Sequence, residues 1–67
     1  MNENIPPVRK GDIIKLRVET IGRKGDGIGK YNKFVVMVSN TEIEKTYEVE
    51  ITDVFKTFAF GRVRNEV

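Results

Sequence analysis

The residues best equipped to act on a ligand lie in one stretch, FKTFAFGRVRN at 55–65. In extended backbone, successive side chains point to opposite faces. One face then carries Phe55, Thr57, Ala59, Gly61 and Val63, and the other Lys56, Phe58, Phe60, Arg62 and Arg64. The first set is small and mostly apolar, which suits a tight interior. The second interleaves two aromatic rings with three cations. Exposed rings stack on unpaired bases at about 1–3 kcal/mol each while cations follow the phosphates, a combination found at single-stranded RNA sites. A second register stays open: a β-bulge at Gly61 would switch the alternation and make Phe58 or Phe60 core.

A second candidate is the turn IGRKGDGIG at 21–29, with glycines at 22, 25, 27 and 29. So many glycines preclude a stable helix. The spacing is not that of a P-loop, and no helix follows to complete a dinucleotide fingerprint. Arg23-Lys24-Gly25-Asp26-Gly27 reads either as a basic loop that approaches phosphates or as a solvated β-turn, and turn chemistry alone favours the second. Tyr31 and Phe34 flank a hairpin tip at Asn32-Lys33. Aromatics there are either exposed for stacking or form a lid on the core. Lys30 and Lys33, like Arg9, Lys10, Lys15 and Arg17, are individually uninformative, since a charge on the outer face of a strand is ordinarily solvated.

Enzyme chemistry is poorly provided for. The 67 residues include no histidine and no cysteine, so zinc would need carboxylates alone and no disulfide staple is available. Glu48 and Glu50 share a face, but on a solvent-facing strand such a pair serves solubility. No nucleophile–base pair is apparent. The reading is non-enzymatic, with no catalytic residue, metal or cofactor.

The formal net charge is only +2, but its distribution is uneven. Residues 9–33 carry eight bases and three acids, net +5; residues 34–53 carry one base and five acids, net −4; residues 54–64 carry three bases, net +3. If folding joins the two basic segments, one face becomes a cation patch that the net charge conceals.

These residues must be held by strands. Pro6-Pro7 marks residues 1–8 as a flexible arm. Over 12–20, Ile14, Leu16 and Val18 alternate with Lys15, Arg17 and Glu19, the pattern of a half-buried strand. A short strand runs from Ile28 to Tyr31, and FVVMV at 34–38 reads as a central buried one. A polar loop, 39–44, leads to a strand over 46–52 with Tyr47, Val49 and Ile51 inward. With 55–65 this makes five strands and no substantial helix. The expectation is an all-β, small five-stranded antiparallel barrel over residues 9–65, since closure removes exposed sheet edges.

Residues 21–38, IGRKGDGIGKYNKFVVMV, resemble the core pattern of the TRAM domain: IG-basic-x-G-DG-[IV]-[AG]-[RK], a hairpin, then FVVFV. VFKTFAFGRV is similar to that family's closing strand, and KGDIIKLRVE to its opening. The resemblance spans about residues 9–64. It implies an OB-like barrel that binds RNA, appended in larger proteins to RNA-modifying enzymes. Single-domain forms, typical of archaea, resemble cold-shock proteins and act as RNA chaperones. By position, the implied contacts are Arg23, Lys24, Lys30, Phe34, Phe58, Phe60 and Arg62. Two departures stand out: Lys33 replaces a usual glycine, and SNTEIEK replaces a loop that usually reads PGA…GD or GE.

The expectation is therefore a cytoplasmic, monomeric RNA-binding protein acting on single-stranded or weakly structured RNA (tRNA, rRNA or mRNA), with no membrane partner. A protein-interaction or adaptor module, associated with the ribosome or RNA-modifying enzymes, is the competing reading, motivated by the acidic stretch 42–53.

Overall fold

The computed structural model describes residues 5–67. Of the arm expected over 1–8, residues 1–4 lie outside the described residues. Ile5 is exposed, whereas Val8 is only 2% exposed and belongs to the core, so packing begins before residue 9.

Among the described residues six strands form: β1 (Ile13–Arg17), β2 (Thr20–Ile21), β3 (Gly27–Tyr31), β4 (Phe34–Val38), β5 (Thr46–Val54) and β6 (Phe58–Glu66). The all-β, barrel-like architecture is as expected, with six strands in place of five. The extra strand arises because the opening segment breaks at Val18-Glu19. There Val18 N–H donates to Lys45 C=O (2.9 Å) and Glu19 N–H to Ile28 C=O (2.8 Å), so the chain leaves the β5 side and joins β3. The order is β1-β5-β6-β4-β3-β2. Its two ends, β1 and β2, are consecutive in sequence, so the sheet must curl round on itself. Gly29 permits this bend: a Cβ there would collide with the Arg17 carbonyl and the Leu16 side chain. Glycine in a strand commonly marks such a close backbone approach.

The expected wholly antiparallel pairing needs one correction. β4 and β6 run parallel, with Val35 beside Phe58 and Met37 beside Phe60. The chain reverses once between β4 and β5 and again at the β5–β6 hairpin, and two reversals restore the direction of β4.

The core is a compact set of branched aliphatics. Leu16, Val18, Val36, Val38, Val49 and Ile51 are fully buried, and Ile14, Tyr47 and Ala59 join them. Each large aliphatic removed from water contributes about 1.5–3 kcal/mol. The inward sets expected for 12–20 and 46–52 are the ones observed. At the β3–β4 tip, Asn32 and Lys33 have φ of 51° and 70°. Two consecutive left-handed residues make the two-residue hairpin that matches strand twist.

Candidate nucleic-acid interface

The register fixes which side chains face outward from β3, β4 and β6. Ile28 pairs with Met37, and Lys30 with Val35. Val35 and Met37 in turn neighbour Phe58 and Phe60. One outer strip therefore runs from Ile28 through Met37 to Phe60, and a second from Lys30 through Val35 to Phe58. Neighbouring strands lie about 4.8 Å apart, so these side chains form one surface.

The alternation of β6 survives because the nearby bulge falls on its partner. Between Ile51 and Asp53 the β5–β6 register slips, leaving Thr52 as the extra residue opposite the Gly61–Phe60 step. Thr52 Oγ1 donates to the Phe60 carbonyl at 3.3 Å across that irregularity. Ala59 stays buried and Phe60 is 37% exposed. Gly61 faces inward, where a Cβ would strike Val49.

Phe55 is the correction on this strand. It was expected on the interior face but is 46% exposed. Its N–H donates to the Phe58 carbonyl at 2.8 Å, closing a hairpin around Lys56-Thr57. Phe55 and Phe58 are thus cross-strand partners, and directly opposed residues share a face. A parity count carried from 55 to 59 runs through a chain reversal and loses its meaning. The result is a third outward ring that alternation alone does not reveal. Phe55 stacks on Phe58 with centroids 4.8 Å apart and planes 25° from parallel. Phe60 meets both edge-on, at 5.8 Å from Phe55 and 5.5 Å from Phe58. A pair of phenylalanines flanking a two-residue polar loop is the signal that could have revealed it.

Cations stand at both ends of this aromatic patch. Because β4 and β6 are parallel and in register near their starts, the turns preceding them lie at one end, bringing Lys33 and Lys56 there with Lys30 nearby. At the opposite end lies the glycine turn. It is a tight hairpin, Gly22 N–H donating to Asp26 C=O at 2.8 Å and Gly25 N–H to Gly22 C=O at 3.0 Å. Gly25 has a φ of 91°, the left-handed position of a three-residue hairpin loop. Asp26 accepts a hydrogen bond from Ser39 Oγ at 3.1 Å, tying the turn to the end of β4. Arg23 and Lys24 thereby rim an open hollow of about 240 Å³ whose floor is Ile28 and Met37. The turn is both a well-formed β-turn and part of the cationic surface.

Not every anticipated residue reaches this face. Tyr31 and Phe34 are partly buried and pack against the core, so they close the barrel end. Arg62 and Arg64 are exposed but engaged: Arg62 Nη2 lies 3.1 Å and Arg64 Nη1 3.3 Å from Glu50 Oε1. The hydrogen bond from Arg62, above all, holds the Glu50 carboxyl below its ordinary pKa of 4.5. No ion pair among the described residues engages Arg23, Lys24, Lys30, Lys33 or Lys56.

A family model described as the TRAM domain matches residues 7–63. The chain belongs to the TRAM domain family. The TRAM domain is a non-catalytic RNA-binding module. The chain is 50% identical over 55 residues to a ribosomal RNA large subunit methyltransferase E of Haloarcula marismortui, matching 82% of this chain and 21% of that protein. It is 43% identical to an uncharacterized protein of Methanocaldococcus jannaschii, over 82% of this chain and 71% of the relative. A translation initiation factor 2 subunit beta of Methanothrix thermoacetophila is 32% identical over 84% of this chain and 27% of its own length. This chain thus spans about a fifth of the methyltransferase that it matches. The solution structure of a conserved protein of Methanococcus maripaludis superposes with a TM-score of 0.82 at 36% identity, covering 88% of this chain and 84% of that one.

Proposed function

We propose that this protein is a non-catalytic RNA chaperone of the cold-shock kind, a cytoplasmic monomer that binds single-stranded or weakly structured RNA with little sequence preference. The observation that carries the reading is the outer face of β3, β4 and β6, where Phe55, Phe58 and Phe60 lie between a cationic end at Lys30, Lys33 and Lys56 and another at Arg23 and Lys24. Bases of an unpaired strand stack on the rings and its phosphates meet the cations. Every base has a π-face, so stacking is indifferent to sequence. Holding single strands removes them from weak hairpins, which melts misfolded RNA without ATP. Transfer RNA, ribosomal RNA and messenger RNA all offer such segments, and no helix among the described residues is long and apolar enough to cross a membrane.

The test is RNA affinity measured against salt. Each phosphate contact on a single strand lowers log K by about 0.7 per decade of salt, so five cations predict a slope of about −3.5. A labelled RNA hairpin should open on addition of the protein. A flat salt response, or no binding at low salt, would remove the proposal.

A second reading is favoured by the relatives. In the methyltransferase and the initiation factor the matching segment is a minor part of a larger chain, so this protein would be an adaptor for RNA-modifying enzymes or the ribosome. A protein partner retained from extract after RNase treatment supports that reading over the chaperone.

A further inference from the structure

We propose that Glu50 is an internal competitor for RNA phosphate, occupying the site that Arg62 and Arg64 would otherwise offer; the inference rests on the RNA-binding reading above. One oxygen, Glu50 Oε1, accepts from Arg62 Nε at 3.3 Å, from Arg62 Nη2 at 3.1 Å and from Arg64 Nη1 at 3.3 Å. Two guanidiniums on one anionic oxygen is also how a phosphate oxygen is held, since arginine's fork matches carboxylate and phosphate alike.

The arrangement follows from an irregularity in the sheet. Glu50 pairs with Arg62, and Val49 with Val63. A regular ladder would continue with Glu48 opposite Arg64. Instead the register slips, Asn65 takes the place opposite Glu48, and Arg64 becomes the extra residue of a bulge. Asn65 Nδ2 donates to Glu48 Oε1 at 2.9 Å, so Glu48 is satisfied by an amide. Bulges re-aim side chains in this way. Two cations are gathered on one carboxylate, and the cluster keeps a net charge of +1.

The cations are also the more exposed partners. The Arg62 and Arg64 side chains are 69% and 49% accessible, against 26% for Glu50. An incoming phosphodiester thus meets the guanidiniums first and competes with the carboxylate behind them. Arg62 lies two residues beyond Phe60 on the same face of β6, which continues the path of a strand stacked on the rings. Such competition weakens binding and shortens residence, which suits a chaperone that must release its RNA.

The test compares Glu50→Gln with Glu48→Gln, which makes the same change of charge two residues away. The probe is a fluorescent oligouridylate of about 10 nucleotides, within the site sizes of single-strand binders. Glu50→Gln is expected to tighten binding about two- to fivefold, the scale of one exposed ion pair, and to steepen the salt slope by about 0.7. Glu48→Gln should change neither. Equal gains in both variants would show a bulk charge effect and overturn the proposal, as would weaker binding by Glu50→Gln, which would make the carboxylate a positioning group. The Arg62 Nε–H resonance is followed in parallel while inorganic tripolyphosphate is added to each protein. It should shift at lower concentration in Glu50→Gln; equal responses overturn the competition. If no RNA binds either protein, the RNA-binding reading fails, and the tripolyphosphate titration still decides the role of Glu50. Melting curves of both variants confirm that each is folded.

Discussion

The outer face of β3, β4 and β6 and the flank formed by β1 and β5 are both rich in charge, yet they use it differently. On the flank, Lys45 lies 3.1 Å from Glu42 and 3.4 Å from Glu66. The hydrogen bond that Lys45 donates to Glu42 leads in raising the pKa of Lys45 above 10.5. Charge there is spent within the molecule. On the aromatic face, Arg23, Lys24, Lys30, Lys33 and Lys56 border apolar surface without such partners among the described residues. Counting charges by segment cannot separate these cases, because what matters is which cation the ladder sets opposite which acid. Arg62 and Arg64 stand at the boundary between the two regimes.

The sharpest way to break this contrast is Phe60→Ala. Loss of one stacked base is worth about 1–3 kcal/mol, or about 5- to 150-fold in affinity, while the melting temperature should fall less than for truncation of a fully buried phenylalanine, because the ring is 37% exposed. If melting falls in step with binding, the ring is structural and the face has lost its meaning. Next in size is Arg23→Ala with Lys24→Ala, which should flatten the salt slope by about 1.4 units. Lys45→Ala, on the flank, should leave the slope unchanged; equal losses would erase the distinction. The smallest effect is on stability against pH. Glu50 has its pKa depressed by Arg62, so its contribution is present above the unfolded carboxylate value and is lost as pH falls through the lower folded value. Thermal melts on the acid side of pH 4.5 should decline less steeply for Glu50→Gln.

Much of this was legible in the sequence, for identifiable reasons. Ile14, Leu16 and Val18, and later Tyr47, Val49 and Ile51, alternate with charged or polar neighbours, and period two reads directly as inside and outside. Asn32-Lys33 announced a turn needing left-handed residues. What could not be read depended on distant chain. The break at Val18-Glu19 is invisible locally because the alternation runs straight through it, and it is accommodated by Gly29 on another strand. The parallel seam of β4 with β6 leaves no mark in either segment. Phe55 escapes the alternation because a turn lies between it and Ala59, and Tyr31 and Phe34, partly buried, pack against the core at a barrel end that no local pattern marks.

The parallel seam of β4 with β6 also bears on how the molecule comes together in time. Hairpins β3–β4 and β5–β6 join neighbours in sequence, and such hairpins form within about 1–10 μs. The seams that complete the barrel join Ile14 to Val49 and Val36 to Ala59. They cannot form until the long intervening stretches are brought into a closed loop, an entropy cost incurred before any of the contacts exist. A chain built on such distant pairings falls among the slower-folding small domains, at milliseconds to seconds. The aromatic face is therefore expected to assemble late, since Phe58 and Phe60 acquire Val35 and Met37 as neighbours only when the parallel seam closes.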